Sequence, residues 1–378
     1  SRYYYRKFKE ENIAFSEIIT VEQMFNKIYE MHSNGTMDNE IIIKEVEELE
    51  KIIKEKLENI NTRYKKRLVK NYLKFRKAEI LFYKGYALSD EKEVEKAYEV
   101  YDKATTIYLE LISDFGIKFP KYEPNNKLNN DFKDKKVNRY YNNYELFAYF
   151  ANTIGEAYGN MVLNCPESEK NNIEKVAEKS IFYSELAVEC AKNYGINKEV
   201  YYKNLGCNYE RKERIKPNYC CNSKGALENY KKAFDLTINQ SHLSKKQMWK
   251  VYYTYLTYSN KYIKNKLQLD YANVTTILDK QNTNDIIEKI DEMNKIALIA
   301  INDDIRRTSN IAMYGFVNGY IAVLKQIKNN EEIDKRFIEN RKYYLEKMKW
   351  SISTLDIMMI NDNFYEQLKD FYEQLVKL

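Results

Sequence analysis

Apolar side chains recur at steps of three and four along most of the chain. Between 39 and 86 they fall at Ile42, Val46, Leu49, Ile53, Leu57, Ile60 and Tyr64, a spacing that holds them on one face of a helix. The positions between are mostly Glu and Lys, and pairs such as Glu47 and Lys51 sit four apart, where opposite charges support a helix. The polar run 32–36 reads as a loop, a short helix is expected at 21–31, and Asp38 or Asn39 stands where a helix start needs a cap. A break at Leu88-Ser89-Asp90 leads into a helix over 91–115, with Ala97, Tyr101, Ala104 and Tyr108 on one face. The prolines and Asn-Lys runs of 119–136 predict the longest surface loop. Further helices are expected near 138–163, 170–194, 198–213, 223–239, 244–269, 284–302, 307–328, 331–359 and 362–378. The breaks between them are mostly short and polar, so neighbours should pack antiparallel. No strand-like alternation flanked by turn signals occurs, and the chain reads as all-α.

Composition narrows this further. Only 10 Gly and 4 Pro occur in 378 residues, too few for the turns of an all-β barrel or sandwich. With 62 basic and 56 acidic residues the net charge is +6, too dilute to imply nucleic acid by itself. No run of 18 apolar residues suggests a membrane span, and no apolar segment follows the basic residues Arg2, Arg6 and Lys7 as in a signal peptide. The start at Ser1 suggests that further protein precedes it. Abundant Lys, Asn, Ile and Tyr point to an AT-rich, bacterial coding sequence. Cys165, Cys190, Cys207, Cys220 and Cys221 are odd in number and irregularly spaced, as expected of reduced thiols in a cytoplasmic protein. There is no phosphate loop, dinucleotide fingerprint, His-Glu-x-x-His or nucleophile elbow. A metal site built from Cys207, Cys220, Cys221 and His242 would match no standard spacing. The expectation is therefore no catalytic residue, no metal and no cofactor.

The repeats carry more information. Within 201–238 a first helix holds Tyr202, Leu205-Gly206 and Tyr209, and a second holds Ala226, Tyr230 and Ala233. This resembles the tetratricopeptide repeat, in which an aromatic residue, Leu-Gly and Tyr mark helix A, and small residues flanking an aromatic mark helix B. The small residues let the two helices approach closely. Gly206 to Ala226 spans 20 residues against about 12 in the repeat consensus, and the surplus falls between the helices. A second unit is expected at 144–191, where Ile154-Gly155 and Tyr158 match the first helix and Ser180, Ser184 and Ala187 weakly match the second. A third is expected at 75–111. Pairs at 244–302 and 307–359 keep the alternation with Trp249 and Gly315 as landmarks, and Phe364, Leu368, Phe371 and Leu375 mark a capping helix. The expected organisation is an N-terminal helical segment at 1–88, helix-pair repeats stacked as a superhelix at 89–361, and the cap at 362–378. The layout is also similar to the Rap type of bacterial peptide-pheromone-responsive regulators.

The resemblance implies a non-enzymatic scaffold, a regulatory or sensing component that holds a peptide or protein partner in a concave groove lined by the A helices. By pattern position, the exposed groove residues would be Asn152, Glu156 and Asn160 in one repeat and Lys203, Glu210 and Arg211 in the next. An Asn amide can clamp a peptide backbone as donor and acceptor, and Lys or Arg can hold a carboxylate. Part of the Tyr-rich stretch 252–258 must face the core, and Tyr258 joins the candidates for the groove. The alternative is a helical repeat that binds nucleic acid through the basic, Tyr-interleaved runs 63–67 and 133–139. The acidic residues alternating with basic ones weigh against it. No membrane partner is expected.

Overall fold

Asp38 starts the first long helix as its spacing demands. Its backbone is extended and its carboxylate accepts a hydrogen bond from the Glu40 amide at 3.0 Å, satisfying one open donor of the first turn. The computed structural model describes residues 2–13, 16, 18–34, 38–60, 64–114, 122, 144–193, 198–216, 224–238, 245–266, 280–303, 308–326, 341–358, 360 and 363–377. These residues are overwhelmingly helical and contain no strand.

The chain divides into two compact units, Ser1–Pro217 and Asn218–Leu378. The first contains α1 (Arg2–Glu10), α2 (Ile19–Asn34), α3 (Asn39–Glu58), α4 (Tyr64–Asp90), α5 (Val94–Asp114), α6 (Tyr144–Leu163), a 3-10 turn (Glu167–Asn172), α7 (Ile173–Asn193) and α8 (Glu199–Arg214). The second contains α9 (Lys224–Ile238), α10 (Lys245–Lys266), α11 (Lys280–Asp303), α12 (Thr308–Gln326), α13 (Arg341–Ile357) and α14 (Asn363–Lys377).

The helix expected over 39–86 is two helices. On α3 the stripe Ile42, Val46, Leu49 and Ile53 is buried as predicted. The helix ends at Glu58, and the Glu55 carbonyl accepts both from the Asn59 backbone amide at 3.3 Å and from the Asn59 side chain at 2.8 Å, a local side-chain bond that favours a helix end. α4 is buried on several sides, through Tyr72, Leu73, Phe75, Ala78, Ile80 and Leu81. It packs against α1, α2, α3 and α5, which is why a single apolar stripe does not describe it. The break expected at Leu88–Asp90 lies slightly later. α4 runs to Asp90, and Lys92 takes the left-handed conformation (φ 61°) as the Glu93 amide bonds back to the Leu88 carbonyl at 2.9 Å. The expected boundary at 88/89 thus falls where α4 lies along α5, inside the first unit.

Within each unit each helix from α2 onward packs against the next in sequence. The even-numbered helices also meet one another: α2 meets α4 and α6 meets α8 in the first unit, while α10 meets α12 and α12 meets α14 in the second. Glycine makes a close approach between neighbouring helices possible. A Cβ on Gly155 of α6 would lie 2.9 Å from the Ser184 amide nitrogen and 3.0 Å from the Ser180 carbonyl oxygen on α7, so no side chain fits there. This is the pairing expected of the 144–191 repeat. In the second unit Gly315 of α12 stands against Ser351 of α13 and Leu368 of α14. Leu368, Phe371 and Leu375 form the buried stripe of α14, as the spacing predicts. The 201–238 pair, the best match to the repeat pattern, is divided between the two units at Pro217.

Candidate functional site

Three even-numbered helices of the first unit carry polar residues at steps of three and four: Arg76, Glu79, Tyr83 and Tyr86 on α4, Tyr149, Asn152, Glu156 and Asn160 on α6, and Asn204, Asn208 and Arg211 on α8. Such spacing lines each set along one helix face, and hydrogen bonds join the three sets. The Tyr149 hydroxyl donates to Glu79 at 2.8 Å and the Tyr86 hydroxyl to Glu156 at 2.6 Å, linking α6 to α4. The Asn204 amide donates to Asn152 at 3.2 Å and to Glu156 at 3.1 Å. Arg211 reaches the Asn160 side-chain oxygen at 2.9 Å and that of Asn208 at 3.0 Å.

Asn208 ties the network to the backbone. It is fully buried, and its amide faces the Gly155 carbonyl at 3.0 Å, the Ser180 carbonyl at 3.3 Å and the Ser184 hydroxyl at 2.8 Å. Gly159 leaves the space in which Asn208 and the Arg211 guanidinium lie across α6, since a Cβ there would collide with both.

At the α2 end, Arg76 is buried between two carboxylates. It donates to Glu22 at 2.5 and 2.9 Å and also to Glu79, and its guanidinium lies 3.8 Å from the centre of the Phe25 ring. The Tyr5 hydroxyl of α1 also donates to Glu22, and burial together with that carboxylate pushes the phenol up to about 12. Burial likewise raises Tyr83 and Tyr86, reinforced by Glu79 for Tyr83 and by Glu156 for both. These phenols stay protonated donors at neutral pH.

The expected groove residues are therefore partly gathered and partly dispersed. Asn152 and Glu156 are joined through Asn204, and Asn160 is joined directly to Arg211. Asn152 and Asn160 are not exposed as expected: they are 6% and 4% accessible because α8 covers this face of α6. Lys203 is partly exposed on α8. Glu210 accepts from Arg214 one turn along the same helix at 2.6 Å. Tyr258 is 1% accessible, its ring 5.2 Å from that of Tyr230, so it packs in the core of the second unit instead of lining an open surface. The network also contains Tyr86, Gly159, Asn204 and Asn208, none of which the repeat pattern marks. Asn204 and Asn208 recur four apart beside Tyr201 and Leu205, a spacing that signals a buried polar face.

Cys190 is buried, which pushes its thiol up to about 12. Cys220, Cys221 and His242 lie outside the described residues, as do residue 63 and the side chains of 64–66 in the first basic run, the whole of 133–139, the loop 119–136 apart from Tyr122, and the side chains of Trp249 and Phe364. Tyr122 rests on α7, its ring 5.8 Å from Phe182 and its hydroxyl donating to Glu178 at 2.5 Å. Among the described residues no helix is long and apolar enough to cross a membrane, and no group of three His, Cys, Asp or Glu side chains is placed to hold a metal ion. No family model and no curated protein matches the sequence.

Proposed function

We propose that the chain is a non-enzymatic helical-repeat scaffold whose first unit holds a peptide, or an extended segment of a partner protein, along the face of α2, α4, α6 and α8, as part of a regulatory or sensing component. The supporting observation is that α2 meets α4 and α6 meets α8, in addition to the contacts each makes with its sequence neighbours. Helix pairs stacked in this way expose one continuous face built from every second helix. On that face Glu79, Tyr83, Glu156, Lys203 and Arg211 retain partial exposure above a rigid hydrogen-bonded floor. A preorganised floor lowers the ordering cost of binding. The close approach of Gly155 to Ser184 supports the tetratricopeptide-like reading of the α6–α7 pair.

The test is panning of the intact chain against a random peptide library, followed by measurement of the enriched peptides. Binding should weaken about tenfold in Arg211→Gln or Glu156→Gln. Failure to enrich any sequence, or affinities unchanged in both variants, would sink the reading. A salt-sensitive shift of single-stranded RNA or DNA would replace it with nucleic-acid binding.

A further inference from the structure

The face formed by α2 and α4 holds one guanidinium in a definite setting. Arg76 lies over the Phe25 ring with the carboxylates of Glu22 and Glu79 in its plane of donors. Stacking on an aromatic face and charge-assisted hydrogen bonding act together there. Seven residues further along α4 the same ingredients recur around Tyr83. Tyr29 meets Tyr83 edge-on at 6.3 Å, and His32 lies 5.0 Å from Tyr83 and stacks on Tyr86 at 5.3 Å. Glu156 stands behind them, bonded to the Tyr86 hydroxyl. Among the described residues no Lys or Arg nitrogen pairs with Glu156, and none lies over Tyr29, Tyr83 or Tyr86. Tyr29 is 50% accessible, so the ring cluster opens to solvent.

The charge balance points the same way. The network's three carboxylates, Glu22, Glu79 and Glu156, outnumber its two guanidiniums, Arg76 and Arg211. Negative charge beside the exposed ring of Tyr29 and the partly exposed ring of Tyr83 attracts a cation and rejects an anion. We propose that the ring cluster of Tyr29, His32, Tyr83 and Tyr86, backed by Glu156, takes a cationic side chain, arginine or lysine, of the bound peptide. The inference rests on the peptide-binding reading and adds the chemistry of one residue of the ligand. Tyr29 and Tyr83 supply the stacking surface and Glu156 the counter-charge.

The chain contains 2 His, so its NMR spectrum has two imidazole Hε1 signals, and comparison with His32→Gln assigns one to the cluster. The probes are the blocked tripeptides acetyl-Gly-Arg-Gly-amide and acetyl-Gly-Lys-Gly-amide, with the citrulline counterpart as a neutral control of the arginine shape. The expected result is a saturable shift of the His32 signal with the arginine or lysine probe and none with citrulline. The dissociation constant should rise about tenfold in Glu156→Gln and about tenfold in Tyr29→Ala. Equal shifts with citrulline, no shift with any probe, or arginine binding undiminished in both variants overturn the proposal. Tyr29 is exposed, so Tyr29→Ala tests the site without disturbing the floor. Library peptides that bind the chain without enrichment of Arg or Lys would overturn this inference and leave the peptide-binding reading standing.

Discussion

At the scale of single residues, the polar network depends on two kinds of side chain that are costly to replace for opposite reasons. Gly155 is needed for what it lacks. Gly155→Ala places a methyl group 2.9 Å from the Ser184 backbone nitrogen, where only movement of α7 relieves the contact. The expected loss is about 1–3 kcal/mol in urea denaturation, the range for overpacking a close contact. Asn208 is needed for what it carries. Its amide and carbonyl together serve Gly155, Ser180, Ser184 and Arg211 from a position with no access to water. Asn208→Leu leaves those groups without their partner and should lower stability by about 2–3 kcal/mol, since a buried polar atom stripped of its bond keeps its desolvation cost. A smaller loss than in the exposed variant Lys103→Leu would show that water reaches the network.

At the scale of the helices, buried charge fastens one element to another. Arg76 of α4 holds Glu22 of α2, and both are nearly inaccessible. Arg76→Ala strands the Glu22 carboxylate and is expected to cost about 3–5 kcal/mol, with the Arg76→Ala/Glu22→Ala double variant recovering part of the loss. In the second unit Glu292 of α11 plays a similar part. Burial acts to raise its pKa, but Lys231 of α9, the Tyr255 hydroxyl of α10 and Lys289 outweigh that and hold it below its ordinary value of 4.5. A carboxyl depressed on folding adds stability above its unfolded pKa, and the contribution is lost as pH falls through the folded value. Wild type should therefore exceed Glu292→Gln in stability at pH 7, with the gap closing as the pH drops below about 4.5. Much of this scale was legible in the chain, because a stripe such as Ile42, Val46, Leu49 and Ile53 obeys the helical period and is buried for that reason alone. The stop at Asn59 was not, since the surrounding Glu and Lys read as continuous helix. Nor was the burial of Asn152 and Asn160. A polar stripe on a single amphipathic helix reads as its solvent face, and only the third helix laid across it, α8 on α6, makes it interior. Ser184 has a second role that the repeat pattern does not carry: its small size admits Gly155 as an alanine would, while its hydroxyl accepts from Asn208.

At the scale of the whole molecule, stacking of helix pairs and division into two compact units make different demands on cooperativity. Within each unit the helices pack mainly on their sequence neighbours, and where stability passes chiefly between neighbours a chain need not unfold as one. The division falls at Pro217, inside the helix pair that best matches the repeat pattern, between α8 and α9. Each unit has its own interior: Phe75, Tyr108 and Phe150 in the first, and Tyr255, Phe316 and Leu368 in the second. The chain offers a simple way to follow them separately, because its 2 Trp, Trp249 and Trp350, both belong to Asn218–Leu378. Tryptophan fluorescence excited away from the 36 Tyr reports the second unit alone, whereas far-UV circular dichroism sums the helices of both. In a urea titration the two signals should give separate midpoints. Gly155→Ala should shift only the dichroism curve, while Gly319→Ala, where the added methyl would press on the Phe371 ring, should shift the fluorescence curve. Coincident transitions that move together in both variants would mean that the two interiors melt as one cooperative body. Strain at α6–α7 would then pass beyond its nearest neighbours, contrary to the additive behaviour of a stacked array.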